Sequence, residues 1–189
     1  IARYLHGVFF ETKTMSLAKL IWSLNQIPGF GIQKLKYFFE QVKVNPESHE
    51  NEICDLMGKH FGAETVLVFK EILASETFER ELKHCSGAGI RILTYLDSDY
   101  PKNLASIYDP PPILYLRGTL IPEDEMAVAI VGSRRPSAYG MKIANRFASE
   151  LAERGITIVS GFARGIDAAA HRGSLRAKGR TIAVLGSGL

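Results

Sequence analysis

Three short apolar runs, AVAIVG (127–132), ITIVSG (156–161) and TIAVLG (181–186), each close on a glycine, and amphipathic stretches separate them. Runs this apolar, without alternation, suit strands buried on both faces of a parallel sheet. Between the first two, Met141, Ala144, Phe147, Ala148 and Leu151 recur at helical spacing, with Ser137 placed as N-cap and Gly155 as stop. Between the second and third, residues 167–179 read as a helix with Asp167 as N-cap and Gly179 as stop. Strand, helix, strand, helix, strand predicts right-handed crossovers and a doubly wound parallel sheet. The sheet is expected to be incomplete, because a sheet ending on the third strand has an unfinished edge. That pattern predicts a full protein longer than these 189 residues.

The chain ahead of these runs has a different texture. Residues 1–14 read as an upstream extension, and Met15 opens a stretch that reads as a natural start. Residues 15–86 read as a small all-helical domain, with helical periodicity over 16–44 and 50–84. Within it, LNQIPGFGIQKLKYFF has the form of a helix–hairpin–helix. There Gly29 and Gly31 would let backbone N–H groups reach a phosphate, and Lys34 would add charge. Gly87 and Gly89 mark the change to a second domain, residues 87–189, which begins with the strand-like IRILTYL and ILYLRG (113–118).

Charge separates the two parts. Residues 1–126 hold 13 Lys and Arg against 17 Asp and Glu, a net of −4, whereas residues 127–189 hold 10 against 3, a net of +7. Such asymmetry favours an anionic partner for the second part. The two cysteines, Cys54 and Cys85, match no metal or redox spacing, so no metal site is expected and the usage suits a reducing cytoplasm. No apolar run approaches the roughly 18 residues of a membrane span, and no secretory signal is evident.

In open parallel sheets, ligands bind at the carboxyl ends of the strands. The loops VGSRRP, SGFARGID and LGSGL should therefore share one side. Their candidate anion-binding residues are Gly132, Ser133, Arg134, Arg135, Ser160, Gly161, Arg164, Gly165 and Gly186, with Arg180 just before the third strand. Neither the P-loop pattern nor G-x-G-x-x-G is present, which disfavours a P-loop NTPase and a nicotinamide enzyme, and no cofactor is expected. His171 lies one helical turn after Asp167 and is expected to be structural rather than catalytic. Tyr139 and Phe162 are the nearest aromatics for stacking on a base, with Phe162 expected to be packed.

The run GIRILTYLDSDYPKNLASIYDPPPILYLRG, followed by AVAIVGSRRPSAYG, IVSGFARGIDAAAHRGSL and GRTIAVLGSGL, resembles the DNA-processing protein A family (DprA, also called Smf) over residues 15–189. The resemblance implies an α/β, Rossmann-like domain preceded by a sterile-alpha-motif-like helical domain. It implies binding of single-stranded DNA without sequence preference, protection of that strand, loading of the recombinase RecA during natural transformation, homodimers, and no catalysis. By motif position, Gly132, Ser133 and Arg134 match the family's DNA-binding loop, and Ser160, Gly161, Arg164 and Gly165 match a second loop. Arg180 stands where the family commonly has lysine. An enzyme alternative is a nucleoside-monophosphate phosphoribohydrolase of the LOG type, which uses a similar anion loop; its P-G-G-x-G-T-x-x-E stretch is absent from these residues. A third class is a protein-interaction scaffold whose anion loops are vestigial.

Overall fold

A computed structural model describes residues 15–45 and 48–186. The expected extension, residues 1–14, lies outside the described residues. The chain divides into two compact units, the first running to Gly118 and the second from Thr119 onward; residues 101–103 join the second.

The first unit is built on helices. These are α1 (Leu17–Asn25), α2 (Ile32–Lys36), α3 (Glu50–Phe61), α4 (Ala63–Ala74) and α5 (Thr77–Gly87), with a π-turn, Tyr37–Gln41, continuing α2. Ser16 caps α1 by accepting from the Lys19 amide at 3.2 Å. A turn at Pro28–Gly29 separates α1 from α2, with Gly29 at φ +71°. The apolar stripes converge on a core that includes Leu20, Leu24, Phe30, Leu35, Phe38, Ile53, Met57 and Phe69, all buried.

Two strands complete this unit. β1 (Ile90–Thr94) and β2 (Ile113–Arg117) pair antiparallel, Ile90 opposite Arg117 and Thr94 opposite Ile113. Tyr95 and Ile113 pack against the helical core. The first compact unit includes these strands, which pack on the helices and share no ladder with the parallel sheet. Between the strands, α6 (Lys102–Ala105) makes a single turn.

The second unit carries the parallel sheet. A 3₁₀ turn (Pro122–Glu125) leads into β3 (Ala127–Ala129), α7 (Ala138–Ala152), β4 (Thr157–Ser160), α8 (Ile166–Arg176) and β5 (Thr181–Ala183). The strand order is β3-β4-β5, all parallel. Ser137 caps α7 as expected, its Oγ accepting from the Gly140 amide at 3.1 Å. Gly155 ends the helix region at φ +79°.

Because the order never reverses, both right-handed crossovers turn the same way and both helices land on one face. Ala148 of α7 and Ala170 of α8 meet on the buried Ile158 of β4. The doubly wound arrangement, with helices on both faces, is thus not what these five elements make. The helices approach closely at Gly173, where an added Cβ would strike the Asn145 carbonyl and lie 2.9 Å from the Ala148 methyl. Asn145 Nδ2 donates to the Ala169 carbonyl at 3.1 Å between the same two helices. None of the described helices is long and apolar enough to cross a membrane.

Candidate nucleic-acid interface

The parallel ladders run one residue beyond the strands. The Ile130 amide donates to the Val159 carbonyl at 3.0 Å and the Val184 amide to the Ser160 carbonyl at 2.9 Å. Residues 131–136, 161–165 and 185–186 therefore leave the sheet at one edge, as the glycine-ended runs predict. Gly132, Ser133, Arg134, Arg135, Gly161, Arg164, Gly165 and Gly186 all lie in these loops. Ser160 lies just beneath, buried, and its Oγ donates to the Ile130 carbonyl at 2.7 Å. That bond ties the end of β4 to the residue that follows β3.

The amino end of α8 ties two of the loops together. The Ile166 amide donates to the Ser133 carbonyl at 3.2 Å. Gly165 makes this approach possible: its φ is +86°, and an added Cβ would strike the Ser133 carbonyl and sit 2.9 Å from Arg134 Cα. The buried Asp167 carboxylate accepts from the Gly132 amide at Oδ1 and from the Ala163 amide at Oδ2, each at 3.4 Å. These are long bonds, but both amides sit beside a charge withdrawn from water. The sequence places Asp167 as an N-cap; the helix begins one residue earlier, at Ile166, and the carboxylate serves the loops instead. Two loop amides are consequently engaged internally, which leaves the charge of the loops to the arginines.

Arg134, Arg135 and Arg164 are exposed and make no ion pair among the described residues. The Ser133 hydroxyl shapes the turn between them, accepting from the Arg135 amide at 3.0 Å. The three arginines thus stand on loops at one sheet edge, with no carboxylate at ion-pair distance among the described residues, an arrangement suited to a polyanion.

Arg180 does not join them. It precedes β5, at the amino edge of the sheet. There Nε donates to Asp124 Oδ1 at 2.5 Å and Nη2 to Oδ2 at 2.7 Å, and Nη2 also reaches the Thr119 carbonyl. Thr157 and the Ile121 amide donate to the same carboxylate, each at 2.9 Å. Burial pushes the Asp124 carboxyl up, but these donors together hold it below its ordinary value. The acidic connector IPEDE thereby supplies the partner of the basic residue, a pairing 56 positions apart that no local pattern signals.

His171 is buried behind the second loop. Thr181 Oγ1 lies 2.8 Å from the Ile158 carbonyl and 2.7 Å from His171 Nδ1, within hydrogen-bond distance of both. Burial lowers the His171 pKa, with the Asp167 charge opposing, and the contact of Nδ1 with Thr181 ties the ring to the sheet. Phe162, expected to be packed, is instead 66% exposed, and Tyr139 is exposed as well. In the first unit, Gly29 and Gly31 flank the turn before α2, and the Lys34 ammonium lies 5.9 Å from the Phe30 ring centroid.

The family model described as DNA recombination-mediator protein A matches residues 91–189, more than half of the chain. The chain belongs to this family. It is 43% identical over 102 residues to the DNA processing protein DprA of Bacillus subtilis, a match covering 53% of this chain and 34% of that protein. It is 47% identical over 103 residues to the protein Smf of Synechocystis, covering 52% of this chain and 26% of that one. The crystal structure of DprA from Streptococcus pneumoniae superposes with a TM-score of 0.70 at 30% identity, over 93% of this chain and 59% of that one. The chain thus spans about a third or less of these curated relatives and about three-fifths of the crystallised one. Fold class and family agree: a mixed α/β chain with a parallel three-stranded sheet, in a DNA-processing, recombination-mediator family.

Proposed function

We propose that this chain supplies a single-stranded DNA-binding surface of a recombination mediator. That mediator binds incoming single strands without reading their sequence, protects them, and loads RecA onto them during natural transformation. It acts by binding rather than catalysis, in the cytoplasm, and as a homodimer. The observation that carries the reading is that Arg134, Arg135 and Arg164 are exposed, and without an ion pair among the described residues, on two loops that meet at the Ile166 amide. Phosphate contacts from such arginines position a strand but carry no sequence information. Ser133, Gly132, Gly161, Gly165 and Gly186 shape the loops that present them. Arg180 serves the same surface indirectly, by locking the opposite edge of the sheet through Asp124. Gly29, Gly31 and Lys34 are proposed as a second, helix–hairpin–helix contact in a sterile-alpha-motif-like domain.

Titration with oligo-dT across a salt series tests this. Arg134→Ala should weaken binding and flatten the log–log salt dependence by about 0.7, the share of a single neutralised phosphate. Unchanged affinity and unchanged slope would remove the loop from the interface. Release of free base from a nucleoside monophosphate would point instead to the phosphoribohydrolase reading.

A further inference from the structure

From Ile166, at the loop edge of the sheet, α8 runs toward the amino edge and ends at Arg176, about 16 Å away by its rise. One side of the helix faces inward: Asp167, Ala169, Ala170, His171, Gly173 and Ser174 are buried. The other side presents Arg172, Leu175 and Arg176, all exposed. No acid stands there. Asp167 is the only acidic residue of α8, and it is buried. Neither arginine has an ion pair among the described residues.

Solvated helix faces usually interleave both signs of charge. The neighbouring α7 does so: Arg146 pairs with Glu150 at 2.5 Å, and Glu153 follows at the helix end. The macrodipole accounts for a cation in the last turn of α8, where Arg176 stands. It does not account for Arg172. That residue sets a second positive charge four positions earlier, where like charges repel. Leu175 is 62% exposed beside both. Two unneutralised cations around an exposed apolar side chain gain little from each other or from water. They gain from an anion that carries an apolar element.

We propose that α8 continues the path of the bound strand: single-stranded nucleic acid leaving the loops at Arg164 follows the outer side of α8, with Arg172 and Arg176 on two of its phosphates and Leu175 against the sugar between them. The two arginines are about 6 Å apart along the helix axis. The row begins where the loops end, because exposed Arg164 stands two residues ahead of the helix. The proposal rests on the single-strand reading above and adds the direction in which the strand departs. Phosphate and sugar carry no base identity, so such a path leaves binding indifferent to sequence.

The test titrates the chain across a salt series with oligo-dT of about 16 nucleotides, the upper end of what a single-strand module covers. Arg172→Ala/Arg176→Ala should weaken binding and flatten the log–log salt slope by about 1.4, two phosphates at about 0.7 each. Both side chains are exposed, so the melting temperature should stay at the wild-type value. Arg172→Lys/Arg176→Lys keeps both charges and should keep the slope. Leu175→Ala should weaken binding at constant slope. Arg146→Ala removes a charge from the neighbouring helix and should leave the slope as it is. An unchanged slope in the double alanine variant overturns the path; flattening by Arg134→Ala in the same series would leave the loop reading standing. Flattening by about 0.7 in Arg146→Ala would mean that only net charge is sensed, and overturns the path as well. A wild-type chain that does not bind oligo-dT overturns the path and the single-strand reading together.

Discussion

Gly165→Ala is expected to destabilise the second unit by about 3 kcal/mol or more and to remove single-strand binding with it. Two costs coincide at this residue. The backbone sits at φ +86° and ψ −127°, which no L side chain adopts comfortably. An added methyl would also collide with the backbone of residues 133 and 134, rather than with a side chain that could swing aside. Relief requires the first loop to separate from the amino end of α8. That separation breaks the bond from the Ile166 amide to the Ser133 carbonyl and draws Gly132 from Asp167. The arginines then no longer share a platform. Gly186→Ala is the control, because an added Cβ there meets nothing within 4 Å. The only tryptophan, Trp22, reports on the first unit, so amide hydrogen exchange across α7 and α8 is the suitable probe. Protection equal to wild type in Gly165→Ala would show that the two loops are not joined as described.

Why this glycine matters is only half visible in the sequence. SGFARGID shows that a loop follows the strand, but not that its last glycine touches a different loop about 30 residues earlier. Features set by neighbours along the chain are legible: the β-α-β-α-β order, the Ser137 cap, the stop at Gly155, and the gathering of glycine-ended loops at one sheet edge. Features set by distant pairing are not. IRILTYL and ILYLRG read as strands, yet their apolar residues do not say whether they cover helices or extend a sheet. Two helices between three strands could wrap one face or two, and only the strand order decides. Phe162 reads as a packing residue because aromatics usually are; its positive φ turns it outward. Arg180 reads as a phosphate ligand because it is basic and next to a strand. A residue before a parallel strand, however, lies at the amino edge, opposite the ligand side. The strand direction could have given that signal from sequence alone.

The position of Arg180 leads to the second large effect. Asp124→Ala is expected to cost the second unit about 2–3 kcal/mol near neutral pH. The Asp124 side chain is 10% exposed and that of Arg180 36% exposed, so removing the carboxylate leaves a partly buried cation, a buried Thr157 hydroxyl and the Ile121 amide without their acceptor. Asparagine should recover part of the loss by accepting from Thr157 while failing to neutralise Arg180. The acid limb distinguishes this network from simple packing. A carboxyl held below its ordinary value in the folded state contributes stability that is complete above the unfolded value, near 4. That contribution drains away as pH falls through 4 toward the lower, folded value. Urea unfolding of the second unit, followed by exchange of its amides, should therefore show wild type and Asp124→Asn far apart at pH 7 and converging as the pH falls below about 4. A gap that stays constant into acid would mean that the ionised carboxylate contributes nothing, and Arg180 would then be as free to bind a phosphate as its basic character first suggested.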